Sequence, residues 1–419
     1  MPAAADPDPA GWFAALMARL GPFRADRAVG VAVSGGADSL ALAWLAAGWG
    51  RPLGLVVDHG LRRGSAAEAS LTARRLADFG VPARILTLDL PAASYAAAAR
   101  RARYDALAAA CADAGLPQLL LGHHAGDQAE TLLLRALHGS AAAGRAGMAA
   151  IQRHGDIALL RPLLGTPRAA LLALLRARAI GWVEDPSNTN LAAERARLRA
   201  AIGEPDGLGP RTAHLCAAAA GWAERRMQTE QEVARWLAGH AMLHPALFAR
   251  LPDGPWPAPA LSALLRWAGA APYPPPAAGV ATLAAAPRPA TIGGARLLRW
   301  RDGWVVAREA AAMAPPVPAR AGAVWDGRFR LAAGLPAGLL SLGGCGDAVL
   351  RARAHPPAAV VAVMPALRWA DGSVSVPHLG VGPPAPALFA CPPNPAAGNF
   401  VATGHGGDAP RAKNAYVSV

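Results

Sequence analysis

The first 160 residues alternate between short apolar runs of strand length and longer stretches with helical patterns. Five runs predict β-strands: residues 29–33, 53–57, 83–88, 118–122 and 157–160. Four stretches between them have the length and alanine content of helices: residues 40–47, 65–79, 95–114 and 127–137. Strands that alternate with helices indicate an α/β fold with a doubly wound parallel sheet, whose ligands bind at the carboxyl ends of the strands.

The pattern changes after Arg199, where a linker-like run at 203–207 precedes one long predicted helix at 212–241. A proline-rich segment follows at 252–289. Two short apolar runs, 297–300 and 304–306, then flank Arg301-Asp302-Gly303, which predicts a hairpin. From residue 312 onward the chain is proline-rich with short strand-like pieces, such as 324–331. We therefore predict three domains: an α/β domain at 1–205, a helical middle domain ending in the hairpin at 206–312, and a small α+β region at 313–419.

The composition fits a protein with buried cores. At 419 residues and 53% apolar residues, the chain is long enough for two or three domains. No apolar stretch reaches the roughly 20 residues of a membrane span without a charge or a Pro/Gly break. The amino terminus, with Asp6 and Asp8, is acidic where a signal peptide would be basic. We expect a cytoplasmic protein without a membrane partner, and the sequence does not indicate its oligomeric state.

The formal net charge of +13 suggests a polyanionic partner such as nucleic acid. Lys413 is the only lysine, however, and arginine is abundant together with alanine, glycine and proline. A compositional bias of this kind would raise the arginine content of any protein from the same source. The charge alone therefore leaves RNA binding and an ordinary basic surface as open alternatives.

The four cysteines lie far apart and form no Cys-x-x-Cys motif: Cys111, Cys216, Cys345 and Cys391. This spacing signals neither a zinc site nor an iron–sulfur cluster, and reduced thiols in the protein core are the expected state.

The most informative polar segment lies between the first predicted strand and the first predicted helix, and consists of Ser34, Gly35, Gly36, Ala37, Asp38 and Ser39. Glycine lets the backbone approach an anion, and the amides of a helix's first turn lack intrahelical partners. The segment is therefore suited to bind phosphate groups, with Asp38 as a ligand for the Mg²⁺ that they carry. The alternative is a tight glycine turn with a serine cap. Neither the Walker pattern nor Gly-x-Gly-x-x-Gly is present.

Two further polar clusters lie at predicted strand ends. Asp58 and His59 follow the second strand, and His123 and His124 follow the fourth. Adjacent histidines on an extended chain point to opposite faces, which disfavours a shared zinc ion. The clusters therefore indicate polar groups that face a nucleotide and an amine at the same sheet edge as the 34–39 segment.

Two acidic residues follow the second histidine pair. Asp127 and Glu130 are spaced i and i+3 on one face of a predicted helix, where two carboxylates can hold an ammonium group. In the alternative interpretation, Asp127 only caps that helix and Glu130 is solvated.

Together these motifs resemble those of a known family. The 34–39 segment is similar to the PP-loop of ATP pyrophosphatases, which cleave ATP between the α and β phosphates and transfer AMP to an oxygen. Over the first 200 residues or so, the chain resembles tRNA(Ile)-lysidine synthases at 34–39, 58–62, 100–104, 123–131, 139–148, 161–164 and 182–188. The 182–188 segment, followed by Arg195, Arg197 and Arg199, is the most specific of these matches.

The resemblance implies a PP-loop, Rossmann-like domain that uses ATP and Mg²⁺ to adenylate the wobble cytidine of a tRNA(Ile) with a CAU anticodon. Free lysine then substitutes at C2, and the products are lysidine, AMP and pyrophosphate. The residues so implied at the ATP site are Ser34, Gly35, Gly36, Ala37, Asp38, Ser39, Asp58 and His59.

The same resemblance assigns roles to other residues. It implies that Asp38, which also binds Mg²⁺, acts in catalysis with His123 and Asp127, and that Arg103, Asp127 and Glu130 hold lysine. Arg195 and Arg199, spaced i and i+4, are the expected contacts to tRNA. One of the two histidines, His123 or His124, either lines the nucleotide pocket or accepts a proton, and the sequence does not separate these roles.

Four positions depart from the usual pattern of the family: Gly126 and Asn190 replace aspartates, His138 replaces an arginine and Ala196 replaces an asparagine. Two functions other than lysidine synthesis remain open. One is another PP-loop tRNA-modifying enzyme such as a thiolase, although Cys111 lies within a predicted helix. The other is a non-catalytic tRNA-binding protein with a degenerate loop, which would bind nucleotide without turnover.

Overall fold

The computed structural model describes residues 8–60, 64–88, 96–139, 142–154, 157–184, 194–332, 334–346, 356–386 and 388–390. Of the sequence motifs, residues 61–62, 140 and 185–190 lie outside this set, as does Cys391. The chain divides into two compact units, one reaching to Arg226 and the other running from Met227 to Gly398. The predicted boundaries at 205 and 312 remain a prediction.

The first unit contains the predicted α/β sheet. Its strands are β1 (Ala28–Val33), β2 (Arg51–Asp58), β3 (Ala83–Thr87), β4 (Gln118–Leu120), β5 (Ile151–His154) and β6 (Ile157–Leu160). They are arranged in the order β3-β2-β1-β4-β6-β5, and every neighbouring pair is parallel except β5 and β6. The α/β fold class is confirmed, and the antiparallel edge strand β5 is an addition that the sequence analysis did not predict.

Nine helices are described from the start of the first unit to His240: α1 (Pro9–Leu20), α2 (Ala37–Trp49), α3 (Ser65–Asp78), α4 (Ala96–Asp113), α5 (Ala125–Leu137), α6 (Ala142–Arg145), α7 (Arg168–Arg176), α8 (Glu194–Ile202) and α9 (Pro210–His240). The helices predicted at 40–47 and 127–137 begin earlier in the structure, at Ala37 and Ala125. Both start in the polar residues that follow a strand, so the apolar pattern does not mark their first turns.

The central strand β1 is buried on both faces, which explains its nearly continuous apolar sequence. On one face Val29, Val31 and Val33 belong to a core that includes the fully buried Leu40 and Leu45 of α2. On the other face, α4 covers the sheet through a second core that includes Leu107, Cys111 and Leu119. The sheet is therefore covered by helices on both sides, as the doubly wound arrangement requires.

The second unit contains a five-stranded antiparallel sheet. Its strands are β7 (Met242–His244), β8 (Phe248–Leu251), β9 (Ala290–Ile292), β10 (Ala295–Trp300) and β11 (Gly303–Arg308), in the order β7-β8-β11-β10-β9. The predicted hairpin is confirmed as β10 and β11, which pair from Ala295 with Arg308 to Trp300 with Gly303. The proline-rich segment contains α10 (Ala258–Ala268) and α11 (Ala277–Ala285), and each begins directly after a proline.

The rest of the second unit consists of short elements: β12 (Val317–Pro318), β13 (Val324–Trp325), β14 (Phe329–Leu331), β15 (Leu339–Gly344), α12 (Ala358–Val361), β16 (Pro365–Trp369), β17 (Val374–Ser375) and β18 (Leu388–Ala390). The prediction of one strand at 324–331 is wrong, because β13 and β14 form an antiparallel pair around a turn. Asp326 in that turn has a φ of 53°, and its carboxylate pairs with the buried side chains of Arg308 and Arg328. Gly327, with a φ of 63°, completes an Asp-Gly hairpin turn, and the ion network stabilises it.

Two histidines of the second unit lead to a prediction about acid stability. The rings of His244 and His378 lie 6.4 Å apart. Burial, with a contribution from His244, lowers the pKa of His378 to about 4, and burial also lowers the pKa of His244. These imidazoles protonate less readily in the folded than in the unfolded chain. The free energy of unfolding is therefore not reduced by them above about pH 6.5, and they lower it as the pH falls toward 4.

We expect His378→Gln to remove about 2 kcal/mol of the stability difference between pH 7 and pH 5. Urea unfolding of both proteins at the two pH values measures this difference, and carboxylates that titrate in the same range affect both proteins equally. An identical loss of stability in the variant and the wild type would contradict the assignment.

Candidate active site

The predicted phosphate-binding loop joins β1 to α2. Gly35 has a φ of 84°, a left-handed conformation that favours glycine, and a Cβ at this position would clash with Oγ1 of Thr72. The carbonyl of Gly35 accepts a hydrogen bond of 2.9 Å from the amide of Val183. Gly36 caps α2 without a side-chain hydrogen bond, so the first turn of this helix presents its amides as an anion site.

The two serines of the loop stabilise its shape. The Ser34 amide donates a hydrogen bond of 3.1 Å to Oγ of Ser39, and that hydroxyl donates one of 2.9 Å to the Gly36 carbonyl. The two hydroxyl oxygens lie 3.2 Å apart. Ser39 therefore fixes the loop, while Ser34 and Gly36 lie at the surface of the adjoining cavity.

One cavity at the carboxyl ends of β1, β2 and β4 brings together several predicted site residues. Its polar lining comes from Ser34, Asp38, Ser39, His59, Arg103, Tyr104 and His123. Its apolar lining includes Val33, Leu55, Val57 and Leu107. A cavity with a phosphate loop at one end and apolar walls has the character of a nucleotide site.

Two imidazoles of this cavity have unsatisfied nitrogen atoms. The Nδ1 atoms of His59 and His123 are buried and have no hydrogen-bond partner among the residues that the structure describes. Burial, with nearby arginines, lowers the pKa of His123 to about 3, and burial followed by Arg103 also lowers the pKa of His59. A histidine with so low a pKa stays neutral at physiological pH, which favours ligand binding by His123 over proton acceptance.

Asp58 lies at the end of β2, as predicted, but is not part of the cavity lining. Its Oδ1 accepts a hydrogen bond of 3.0 Å from the Gly60 amide. A hydrogen bond with Ser65, and then the one from Gly60, lowers the pKa of this carboxyl. These contacts stabilise the connection between β2 and α3.

Asp38 lies in the first turn of α2 and faces the side chains of Arg168 and His124. Its Oδ1 is 3.4 Å from Nε of Arg168, and its Oδ2 is 3.7 Å from Nε2 of His124. Oδ1 is buried, and no described residue hydrogen-bonds to it. The described residues contain no group of three or more His, Cys, Asp or Glu side chains that could hold a metal ion. One carboxylate oxygen fits Mg²⁺ that is bound mainly by phosphates and water.

His124 and Asp127 form the cap of α5. The His124 amide donates a hydrogen bond of 3.1 Å to Oδ2 of Asp127, and Nδ1 of His124 accepts one of 3.0 Å from the Gly126 amide. A Cβ at Gly126 would lie 2.9 Å from the His124 ring, so glycine gives this ring its space. Burial raises the pKa of Asp127, but the neighbouring His124 side chain and the hydrogen bond from the His124 amide outweigh it and lower the pKa. Asp127 is thus a capping residue, and its part in lysine binding remains a prediction.

Glu130 and the predicted tRNA contacts meet between α5 and α8. Glu130 is 2% exposed, and its Oε1 accepts a hydrogen bond of 2.7 Å from Nε of Arg199. Its Oε2 is buried without a hydrogen-bond partner among the described residues. Arg195 donates a hydrogen bond of 3.4 Å to the hydroxyl of Thr131. Glu130 is therefore not solvated, and both arginines contact α5.

The sequence analysis missed Arg168, which lies beside Asp38 at the start of α7. The signal was present, because Pro167 favours a helix start and an arginine in the first turn opposes the helix dipole. Such a cation indicates a nearby negative partner. Thr72, by contrast, gave no sequence signal, although its Oγ1 would clash with a Cβ at position 35.

Comparison with known proteins gives a match to a family model and matches to several curated relatives. The family model described as a PP-loop domain matches residues 13–205. The tRNA(Ile)-lysidine synthase of Hyphomonas neptunium is 40% identical over 317 residues, which are 70% of this chain and 85% of that protein. This chain belongs to the tRNA(Ile)-lysidine synthase family. The synthase of Mesorhizobium japonicum is 35% identical over 86% of each chain, and that of Ruegeria pomeroyi is 35% identical over 73% of this chain and 76% of its own length.

One further observation bears on the thiolase alternative. Burial raises the pKa of the Cys111 thiol to about 11, which leaves it a poor nucleophile for thiolase chemistry. Across the described ranges, no helix is long and apolar enough to cross a membrane.

Proposed function

We propose that this protein catalyses the ligation of free lysine to C2 of the wobble cytidine in a tRNA(Ile) with a CAU anticodon, as a cytoplasmic ligase of its family. ATP is converted to AMP and pyrophosphate through an adenylated cytidine. The observation that supports the proposal most directly is the cavity in which the PP-loop, Asp38 and the two orphaned imidazole nitrogens of His59 and His123 meet.

The ATP half of the reaction is assigned to the loop and the cavity. The amides of the first turn of α2 bind the phosphate groups, and the nitrogen atoms of His59 and His123 are available to the nucleoside. Asp38 is the proposed Mg²⁺ ligand. Mg²⁺ would neutralise the charge that develops on the leaving pyrophosphate, which is the main electrostatic requirement of nucleotidyl transfer.

The lysine half of the reaction is assigned to the acidic residues of α5 and to Arg103. Glu130 has one buried oxygen without a hydrogen-bond partner among the described residues, which an ammonium group can satisfy. Arg103, at the cavity wall, offers a guanidinium for the lysine carboxylate. Asp127 supports the same region through its negative charge, which is maintained by its lowered pKa.

Arg195 and Arg199, the proposed tRNA contacts on α8, give a testable prediction. Arg199 keeps 40% of its side chain exposed despite its bond to Glu130. We expect the double variant Arg195→Gln and Arg199→Gln to weaken tRNA binding and to lower its salt dependence by up to about two phosphate contacts.

Arg197, which is exposed on the same helix, provides the matched control as Arg197→Gln. Titration of labelled tRNA at several salt concentrations measures both quantities. An unchanged salt slope in the double variant would show that Arg195 and Arg199 serve only to pack α8 on α5.

The proposed function is tested by incubating the protein with ATP, lysine and a tRNA(Ile) that has a CAU anticodon. Mass analysis of the anticodon nucleosides is expected to show a cytidine that has gained lysine with loss of water. AMP and pyrophosphate should form only when this tRNA is present. Nucleotide binding without turnover would support the non-catalytic alternative, and ADP with orthophosphate as products would overturn the proposal.

A further inference from the structure

Arg168 occupies a position that is electrostatically unfavourable for a cation. It is the first residue of α7, directly after the N-cap residue Pro167, and this helix end has no side-chain cap hydrogen bond. The positive end of the helix dipole lies at the same place, so arginine is not the residue that helix stability selects here. Arg168 is about one-third exposed, so burial does not account for it either.

The charge of Arg168 is instead directed at the PP-loop. Its Nε lies 3.4 Å from Oδ1 of Asp38, but Oδ1 accepts no hydrogen bond from any described residue. The two side chains are thus paired by charge without an aligned hydrogen bond, the kind of contact that a better partner can replace. His124 faces the other carboxylate oxygen at 3.7 Å.

The same contact places a guanidinium beside the predicted phosphate site. Asp38 is in the first turn of α2, whose amides form the proposed anion site, and Nε of Arg168 lies 3.4 Å from Oδ1 of this residue. A planar guanidinium can bind phosphate oxygens through two parallel hydrogen bonds, which an ammonium cannot do.

We propose that Arg168 is a catalytic residue that exchanges partners. In the absence of nucleotide it neutralises Asp38, and when Mg²⁺ is bound to Asp38 it contacts the triphosphate of ATP. Arg168 then stabilises negative charge on the phosphates during adenylation. This inference rests on the proposed function for its substrate, but its first half concerns only Arg168 and Asp38.

The first half is tested by metal binding without nucleotide. Mn²⁺ titration followed by electron paramagnetic resonance measures the Mn²⁺ bound by the wild type, Arg168→Gln and Arg168→Lys, and Asp38→Ala gives the baseline for Mn²⁺ that binds elsewhere. Removal of a competing cation should make Mn²⁺ bind to Arg168→Gln at least about threefold tighter, whereas Arg168→Lys should bind it as the wild type does. Arg176→Gln, at the exposed end of the same helix, is the matched control and should leave binding unchanged.

The second half is tested with nucleotide. Arg168→Gln should bind a non-hydrolysable ATP analogue with Mg²⁺ at least about tenfold more weakly, and tRNA-dependent pyrophosphate release should fall by about tenfold to a hundredfold. Arg168→Lys should recover only part of both losses, and Arg176→Gln should show neither. Removal of a cation from a helix N-terminus should not lower the melting temperature of Arg168→Gln. If that variant nevertheless unfolds, Arg168→Lys still decides the question through analogue binding.

Weaker or unchanged Mn²⁺ binding by Arg168→Gln would show that Arg168 does not compete for Asp38 and would overturn the exchange. Full analogue affinity and full pyrophosphate release in Arg168→Gln would overturn the phosphate contact. If the wild type forms no lysidine, the proposed function fails, whereas the Mn²⁺ and analogue measurements still decide the role of Arg168.

Discussion

The variant Asp38→Ala should lose more than a hundredfold in tRNA-dependent pyrophosphate release. The loss of the only carboxylate ligand proposed for the metal on the leaving group removes at least ~3 kcal/mol of transition-state stabilisation. It also leaves Arg168 and His124 without the carboxylate that both now face. We therefore expect weaker binding of Mg²⁺ with ATP in addition to the slower reaction.

The exposed Asp78 at the end of α3 offers a control as Asp78→Ala. Pyrophosphate release is measured for both variants and the wild type at saturating tRNA and over a range of Mg²⁺ concentrations. Near-normal turnover by Asp38→Ala would rule out the assigned role, because removal of the proposed metal ligand could not then be limiting for the reaction.

The PP-loop could be predicted from the sequence because its determinants are local. An apolar strand, two glycines and a helix start occur within a dozen residues, and the structure places β1, Gly35 and α2 accordingly. The parallel sheet was predictable for a similar reason, since buried strands have continuous apolar runs and the helices between them are long.

The pairing of charges within the site could not be predicted in this way. Glu130 and Arg199 are 69 residues apart in the chain, and Asp38 and Arg168 are farther apart still. Helical spacing suggested that Arg195 and Arg199 share a face, but it does not show which surface that face meets. Only the packing of α8 on α5 turns this face toward Glu130 and Thr131.

Parts of the second unit were difficult to predict because many of its strands are only two or three residues long. In the 324–331 segment the sequence analysis missed a local hairpin signal, because Asp326 and Gly327 form an Asp-Gly pair and both have positive φ. Elements of two or three residues contain too few alternating positions for a pattern to be distinguished from a loop.

The variant Glu130→Gln should raise the lysine concentration needed for half-maximal lysidine formation by about tenfold to a thousandfold. Glu130 is the buried acid of the α5 face, and one of its oxygens has no hydrogen-bond partner among the described residues. Replacement of a buried carboxylate that holds an ammonium costs roughly 2 to 4 kcal/mol, because the remaining pairing is incomplete. Adenylation does not need this charge, so tRNA-dependent pyrophosphate release without lysine should persist.

Two controls separate the lysine role of Glu130 from its contact with Arg199. Glu224→Gln, on an exposed position of α9, should behave as the wild type. Arg199→Gln breaks the same ion pair from the other side but keeps the Glu130 carboxylate, so it should not raise the lysine requirement to the same extent. If Glu130→Gln and Arg199→Gln raise the lysine requirement equally, Glu130 acts by positioning α8 and not by binding lysine. If Glu130→Gln blocks adenylation while its lysine dependence stays normal, the residue belongs to the ATP site, because the defect then precedes the step at which lysine enters.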